Sequence, residues 1–396
     1  KNGTEMEQIE TPIGDFPIML RSKKCLLNGL TPEEVVKAGE DSEDPGGYFV
    51  VNGTERVLVL VEDLSANRIN LDHVSLGTTT ESARIFSEKN WYRRRNSVER
   101  KKDGGLIVNM PPFSKPLNFI TLMRALGMDN DELLVKSISI DPQVTGELYV
   151  SFEDAAETTR KRDALDSLGK KIAFGQGRIE RIERAERILD TFLLPHMGLA
   201  PGDRIAKAHF LAKMAERVIK LHLGITKIDD KDHYENKRLR LAGSLFEDLF
   251  RVAFRAMINN TVYTLEKAYK RNRKFSIHTA IRSNFLTERI QHAIATGSWI
   301  GSRQGISQHL DRMNFISALS HRRRVRSLLS TTQPHFEARD LHATHWGRLC
   351  PSETPEGSNI GLVKNLSIMS KISTTKDDAM IAETLDKMSV KLEGKK

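Results

Sequence analysis

Asn52-Gly53 sits between two apolar runs, Tyr48-Phe49-Val50-Val51 and Arg56-Val57-Leu58-Val59-Leu60-Val61, and nothing else in the chain constrains the fold as tightly. An Asn-Gly link lets both turn residues take positive φ, which matches the twist of an antiparallel pair. The sequence therefore predicts a hairpin here, preceded by a turn at Asp44-Pro45-Gly46-Gly47 and by a short strand at Ile18-Met19-Leu20. From Ile69 to about Val150 short strands continue, clearest at Val74-Ser75-Leu76, Ile107-Val108-Asn109-Met110 and Ile138-Ser139-Ile140, with Pro111-Pro112 ending one of them.

After about Asp154 the apolar period changes to that of helices. Ile179, Ile182, Ile188, Leu189 and Phe192 share one face closed by Pro195, and Ala208, Ala212, Ala215, Ile219 and Leu223 form a second stripe with Asp203 as its expected N-cap. Two further helices are expected, one from Ser244 to about Lys270 and one carrying Ile277, Ile281, Phe285, Ile290 and Ile294 until Gly297 stops it. Strands and helices in separate blocks give an α+β class with mixed sheets, and 396 residues suffice for two or three domains.

Composition excludes several function classes. No run approaches the roughly 20 apolar residues of a membrane span, and Cys25 and Cys350 are the only cysteines, too few for a disulfide framework or a Cys-rich zinc site. The pattern fits a reducing, cytoplasmic setting, and a net charge of +9 favours a polyanionic partner. Lys1-Asn2-Gly3-Thr4 reads like the middle of a strand region, with residues expected ahead of it.

The densest chemistry lies between Gly301 and Ser367. Arg303, Arg312, Arg322, Arg323, Arg324 and Arg326 face a single local carboxylate, Asp311, and guanidinium forks suit phosphate oxygens. Gln304, Gln308, Asn314 and His321 interleave with them, as a groove touching sugars and bases requires. In Glu353-Thr354-Pro355-Glu356-Gly357-Ser358-Asn359-Ile360-Gly361, proline and glycines fix a turn that presents polar groups, which equally serves shape alone.

Other readings stand beside this one. Trp91-Tyr92-Arg93-Arg94-Arg95 is either a basic stacking patch or a solvated strand end. Asp229, Asp230, Asp232 and His233 match no EF-hand spacing and read as a solvated connector. His342, His345, Cys350 and Glu353 are all legitimate zinc ligands, but the histidines are three apart and lack the zincin spacing. A Cys350/His345 nucleophilic pair has no sign of a lowered thiol pKa, and loop support is the plainer account.

The run from Ala338-Arg339-Asp340-Leu341-His342 to Ser367 closely resembles the second-largest subunit of cellular multi-subunit RNA polymerases, with Trp346 and Val363-Lys364-Asn365-Leu366-Ser367 similar to the archaeal and eukaryotic nuclear type. Ser307-Gln308-His309-Leu310-Asp311 and Leu319-Ser320-His321-Arg322-Arg323-Arg324 resemble the bacterial segment lining the RNA side of the active centre and the rifamycin pocket. Gly46 to Leu58 and Asp230 to Gly243 agree in order, so nearly the whole chain is covered.

The resemblance implies a protrusion (1–70 and 228–296) with an inserted lobe (71–227), a fork (297–373), and a final stretch (374–396) beginning the next region. It points to the N-terminal half of the subunit as split in methanogenic and halophilic archaea, the B'' form, and the basic charge leans towards a methanogen. By the same resemblance Gln308 and Asn359 would face the transcript or the RNA–DNA hybrid, Arg322, Arg323 and Arg324 would lie near the nucleotide-binding end, and 325–336 would be the fork loop by the downstream DNA. Asp311, Asn314, His321, Arg326, Arg339, Pro355 and Glu356 would line the same surface. Arg326 stands where bacteria usually carry Ser, which implies insensitivity to rifamycins. The chain itself would hold no catalytic group and no metal; Mg2+ would be bound by the largest subunit. Implied partners are template DNA, the RNA transcript, the largest subunit, the C-terminal half of the second-largest subunit, other polymerase subunits, and general transcription and elongation factors, with no membrane. A free-standing nucleic-acid-binding module and a metallohydrolase remain as competing readings.

Overall fold

A computed structural model describes residues 10–74, 77–89, 92–173, 175–271, 280–301, 303–373 and 378–388. Its strands are β1 (Phe49–Val51), β2 (Thr54–Leu58), β3 (Leu60–Leu64), β4 (Ile69–His73), β5 (Thr79–Lys89), β6 (Tyr92–Lys101), β7 (Leu106–Asn109), β8 (Leu117–Asn118), β9 (Lys237–Arg240), β10 (Ser307–His309), β11 (Arg324–Ser327) and β12 (Val363–Asn365). They form three sheets, ordered β1-β2-β10, β12-β11-β3-β9 and β4-β5-β6-β7-β8.

The Asn-Gly hairpin is present: Val51 pairs with Thr54, and Asn52 and Gly53 have φ of 50° and 72°. The apolar run that follows does not continue as one strand. Its backbone crosses from β2 to β3 at Val59, which is fully buried and donates its N–H to Ile306 O. β2 then lies between β1 and β10, while β3 lies between β9 and, in parallel, β11. One segment thus supplies an inner strand to two sheets, and each sheet is completed by strands more than 170 residues away. These two joined sheets are called the seam below.

The third sheet is an antiparallel meander built from consecutive chain. Helices between Phe119 and His222 close one face of it around a continuous core that includes Leu71, Ile85, Phe119, Leu122 and Leu211, all fully buried. Burying each such side chain contributes about 1.5–3 kcal/mol. Over the seam, a second core joins Phe49, Val51 and Val61 to Leu245, Phe246 and Leu249 of helix Ala242–Lys270 and to Leu286 and Ile290 of helix Ser283–Thr296. Trp299 locks this packing by donating its indole N–H to Leu245 O at 2.8 Å.

Several expectations are corrected. Ile18-Met19-Leu20 forms no strand, because its pairing with the Gly47-Tyr48 backbone is confined to Leu20, which donates to Tyr48 O and accepts from Gly47 N–H, before Arg21 turns at φ 58°. After a short early helix, Pro32–Lys37, the helical block begins at Phe119 and not near Asp154: Asn118 caps it through its side-chain oxygen, and Ile138 ends a helix where a strand was expected. The longest strands, β5 and β6, went unnamed because their sequences are polar and alternate. Asp203 occupies the N-cap position but its carboxylate accepts from Ala200 N–H instead of capping the helix. Ser75 and Leu76 of one expected strand, Trp91, and Ile277 lie outside the described residues. Among the described residues no helix is long and apolar enough to cross a membrane.

Candidate nucleic-acid interface

Gln308 on β10, Arg324 and Arg326 on β11, Val363 and Asn365 on β12, and Ser352, Glu353, Thr354, Pro355 and Asn359 of the turn before β12 line a pocket of about 570 Å3. Positions 324 and 326 are two apart on a strand and so share a face, while Val325 between them is fully buried. Register places Arg324 opposite Asn365 and Arg326 opposite Val363.

The turn that closes the pocket is held by hydrogen bonds at both ends. Thr354 Oγ1 donates to Val363 O and accepts from Gly361 N–H, both at 2.9 Å. Gly361 has φ 69°, and a Cβ there would lie 2.2 Å from Arg339 O, so only glycine fits. The Arg339 guanidinium donates to the carbonyls of Thr331, Gln333, Pro334, Ser358 and Ile360, tying the loop before it to this turn. Arg339 therefore supports the pocket without lining it. Pro355 and Asn359 line it; Glu356 is exposed at the N-cap of the short helix Gly357–Asn359 and makes no side-chain cap bond.

Gln308 is held by a chain of polar contacts. Asp311 N–H lies 3.1 Å from His321 Nδ1, His321 Nε2 lies 2.9 Å from Gln308 Oε1, and Gln308 Nε2 donates to Gly305 O at 3.0 Å. Burial, with Arg324 nearby, pushes the His321 imidazole down to about 4, so it is neutral at physiological pH. Asp311 is kept below the usual carboxylate range by hydrogen bonds from Ser317 and from Met313 N–H. Asn314 caps helix Phe315–Arg322 through Ser317 N–H at 2.7 Å and does not line the pocket.

The arginines divide sharply. Arg303 pairs with Asp63 at 2.7 Å, and Arg312 forms a fork on Glu55 and also reaches Asp44. Arg322 folds back onto Ala318 O, Gly46 O and Asp44, whose carboxyl is held down at about 2; burial opposes that shift, but hydrogen bonds from Arg312, Gly46 N–H and Tyr48 outweigh it. Arg323 donates to the carbonyls of Leu366, Ser367 and Ile368, and Arg326 to those of Gln304 and Gly305. Arg322 and Arg323 are thus engaged elsewhere and do not line the pocket. Arg324 alone of the six has no hydrogen-bond or ion-pair partner among the described residues, and it lines the pocket. The local imbalance of charge is met by carboxylates from the first 63 residues and by backbone carbonyls.

The side chains that hold this wall together were not singled out from the sequence. Glu62, only 3% exposed at its side chain, accepts from Lys237, Lys364 and the Tyr234 hydroxyl. Burial pushes its carboxyl up, but the attraction of Lys364 and Lys237 outweighs burial and holds it below the usual range. Asp63 beside it pairs with Arg93, Arg240 and Arg303. Two carboxylates ending the apolar run Val57–Val61 are a signal that sequence reading had available, because buried charges must be paired.

The remaining expectations resolve as packing. Asp229 accepts from Leu71 N–H, Asp230 pairs with His342, Lys231 with Asp72 and Asp232 with Lys237, so this stretch ties elements together and is no solvated connector. His345 packs edge-on against Tyr234 with ring centroids 5.2 Å apart, and Glu353 accepts from Ser320. Among the described residues no three His, Cys, Asp or Glu side chains converge as metal ligands would. Arg93 sits over the Phe86 ring and Arg94 over Tyr92 and Phe192, so both stack within the chain. They border a larger cavity of about 1040 Å3 whose far wall includes Trp299, Leu328, Leu329 and Phe336.

Comparison with known proteins agrees with this architecture. A family profile described as RNA polymerase beta subunit matches residues 1–288, and one described as RNA polymerase Rpb2, domain 3, matches residues 308–372. The chain is 48% identical over 391 residues to DNA-directed RNA polymerase subunit Rpo2 of Saccharolobus solfataricus, covering 98% of itself but 35% of that protein. It thus spans about a third of the length of such relatives. It is 46% identical over 378 residues to subunit Rpo2N of Halobacterium salinarum, covering 94% of itself and 72% of that protein. Against subunit Rpo2N of Methanocaldococcus jannaschii the identity is 44% over 394 residues, with 98% and 79% covered. With one profile matching well over half of its length and each of these relatives matching 94% or more of it, the chain belongs to the RNA polymerase beta-subunit family, that of the second-largest subunit.

Proposed function

We propose that the chain forms one side of the nucleic-acid cleft of a DNA-directed RNA polymerase, with the pocket around Arg324 facing the transcript in the RNA–DNA hybrid. The observation that carries this reading is the company Arg324 keeps. In a chain of this family, an arginine without an internal partner opens into a pocket with Gln308, Arg326 and Asn359. A charge left over after its neighbours are satisfied is the one available to phosphate.

In this reading the first strands and the segment from 228 to 296 form the protrusion, 71–227 the lobe, and 297–373 the fork. The larger cavity beside Leu328 and Phe336 lies on the downstream-DNA side. The chain works with the largest subunit and with the rest of the second-largest subunit, and other subunits and general transcription and elongation factors complete the assembly. The residues described do not offer a carboxylate cluster for catalytic Mg2+, and we assign that ion to the largest subunit. The metal supplies charge stabilisation for nucleotidyl transfer; this chain supplies alignment, a large part of phosphoryl-transfer catalysis.

Arg324→Ala and Gln308→Ala in reconstituted polymerase test the reading. Losing one charge-assisted hydrogen bond to phosphate shortens the half-life of stalled elongation complexes by about tenfold for Arg324→Ala, and by less for the neutral Gln308. Unchanged half-lives together with an unchanged pattern of abortive products would remove the pocket from the transcript path.

A further inference from the structure

The contacts behind Gln308 fix more than its position. A backbone N–H can only donate, so Asp311 N–H forces His321 Nδ1 to accept, and the ring proton must sit on Nε2. That N–H then requires an acceptor, which settles Gln308 with its carbonyl oxygen on the histidine side and its NH2 on the side of Gly305 O. The reverse orientation would set two donors against each other at His321 and two oxygens against each other at Gly305.

The same carbonyl of Gly305 also accepts from Arg326 Nη1 at 3.0 Å. Two nitrogen donors, from Gln308 and Arg326, therefore converge on one oxygen; Gln308 Nε2 keeps a further N–H to give, and Arg326, whose Nη1 also donates to Gln304 O, keeps those of Nη2 and Nε. Gly305 makes this approach possible: it has φ 70°, and a Cβ there would lie 1.9 Å from Arg326 Nη1. Both side chains line the pocket.

We propose that His321 is a positioning residue that sets the direction of the Gln308 amide, so that Gln308 Nε2 and Arg326 together form a two-donor site for a phosphate oxygen of the RNA strand. This rests on the reading of the pocket as facing the transcript. Without His321 the amide direction is held by Gly305 O alone, and the reversed orientation, which presents a carbonyl oxygen to the phosphate, becomes more populated. Burial of His321, which keeps it uncharged, maintains Nδ1 as an acceptor for Asp311 N–H.

The test uses reconstituted polymerase stalled on a scaffold of template DNA and a short RNA, reading the half-life of the complex for Gln308→Ala, His321→Asn, the double variant, and His321→Gln. Gln308→Ala and His321→Asn should each shorten the half-life by about fivefold, the size of one neutral hydrogen bond. The double variant should lose no more than either single one, because both remove the same contact. His321→Gln places an amide N–H where Nε2–H stood, and should recover the half-life to within about twofold of the wild type. Losses that multiply in the double variant, or a His321→Gln complex as short-lived as His321→Asn, would overturn the positioning role. A short-lived Gln308→Ala complex with an unaffected His321→Asn complex would overturn it too, while leaving the pocket on the transcript. Unchanged half-lives for both Gln308→Ala and Arg324→Ala would instead overturn the reading beneath it. Should His321→Asn fail to assemble, His321→Gln decides alone by the same limits.

Discussion

The meander sheet and the seam solve the same problem with different materials. The meander draws its strands from one continuous stretch, 69–118, and is held by an apolar core of fully buried leucines, isoleucines and methionines. The seam gathers short strands from five separate stretches, and at its centre sits the carboxylate Glu62 between Lys237 and Lys364, with Asp63 and three arginines beside it. Apolar burial is non-directional and tolerates neighbours of any kind, whereas buried ion pairs accept only the right partner in the right place. A wall assembled from distant strands gains register from such pairing. The charges consumed in holding it are then no longer available to a ligand, and this is what singles out Arg324.

The comparison can be broken from the seam side first. Glu62→Ala leaves buried Lys364 without a carboxylate partner and Lys237 with Asp232 alone, at a cost of about 3–5 kcal/mol. Hydrogen exchange on the chain should show faster opening confined to 237–240, 324–327 and 363–365, with 69–118 unchanged. Leu122→Ala, a cavity in the other core, should cost slightly less, about 3 kcal/mol, and open the meander while sparing the seam. Uniform acceleration in either variant would mean that the two regions are one cooperative unit.

Acid sharpens the same contrast by a smaller amount per residue. His321 and His345, both on the seam side, are pushed down to about 4, in each case first by burial and then by a neighbouring cation. Their unfolded pKa is near 6.5. Between those values the unfolded chain binds more protons, so stability is complete above about pH 6.5 and falls as pH drops towards 4. The expected loss between pH 7 and pH 5 is about 2 kcal/mol for each histidine, read by thermal unfolding, and replacing both histidines by glutamine should flatten it. The meander carries a different signature. Lys207, fully buried, is lowered to about 8 by desolvation, so that region gains stability as pH rises from about 8 towards 10.

How much of this was legible in the sequence follows from the range of the interactions. The hairpin at Asn52-Gly53, the helix stop at Gly297 and the apolar stripes of the long helices are set by neighbours within a few residues, and they were readable. Ordered resemblance was equally readable, and the family assignment and the α+β class follow from it and from the block pattern. The pocket was legible in part: Gln308, Arg324, Arg326, Pro355 and Asn359 meet there as a group. The roles of the other arginines were not, because counting charge within 301–327 cannot see Asp44, Glu55 or Asp63. For the same reason a metal-like set of His342, His345, Cys350 and Glu353 dissolved into contacts with Asp230, Tyr234 and Ser320. The strands β5 and β6 were missed because polar alternation was weighed less than apolar runs.

The central claim is that charge left unpaired by the seam faces the transcript. A photoreactive side chain placed at Asn359, which lines the pocket together with Arg324, would test it in a reconstituted complex carrying end-labelled RNA. The account predicts a crosslink to RNA within the hybrid that disappears when the RNA is released. Crosslinks to protein or to DNA alone, with none to RNA, would contradict it.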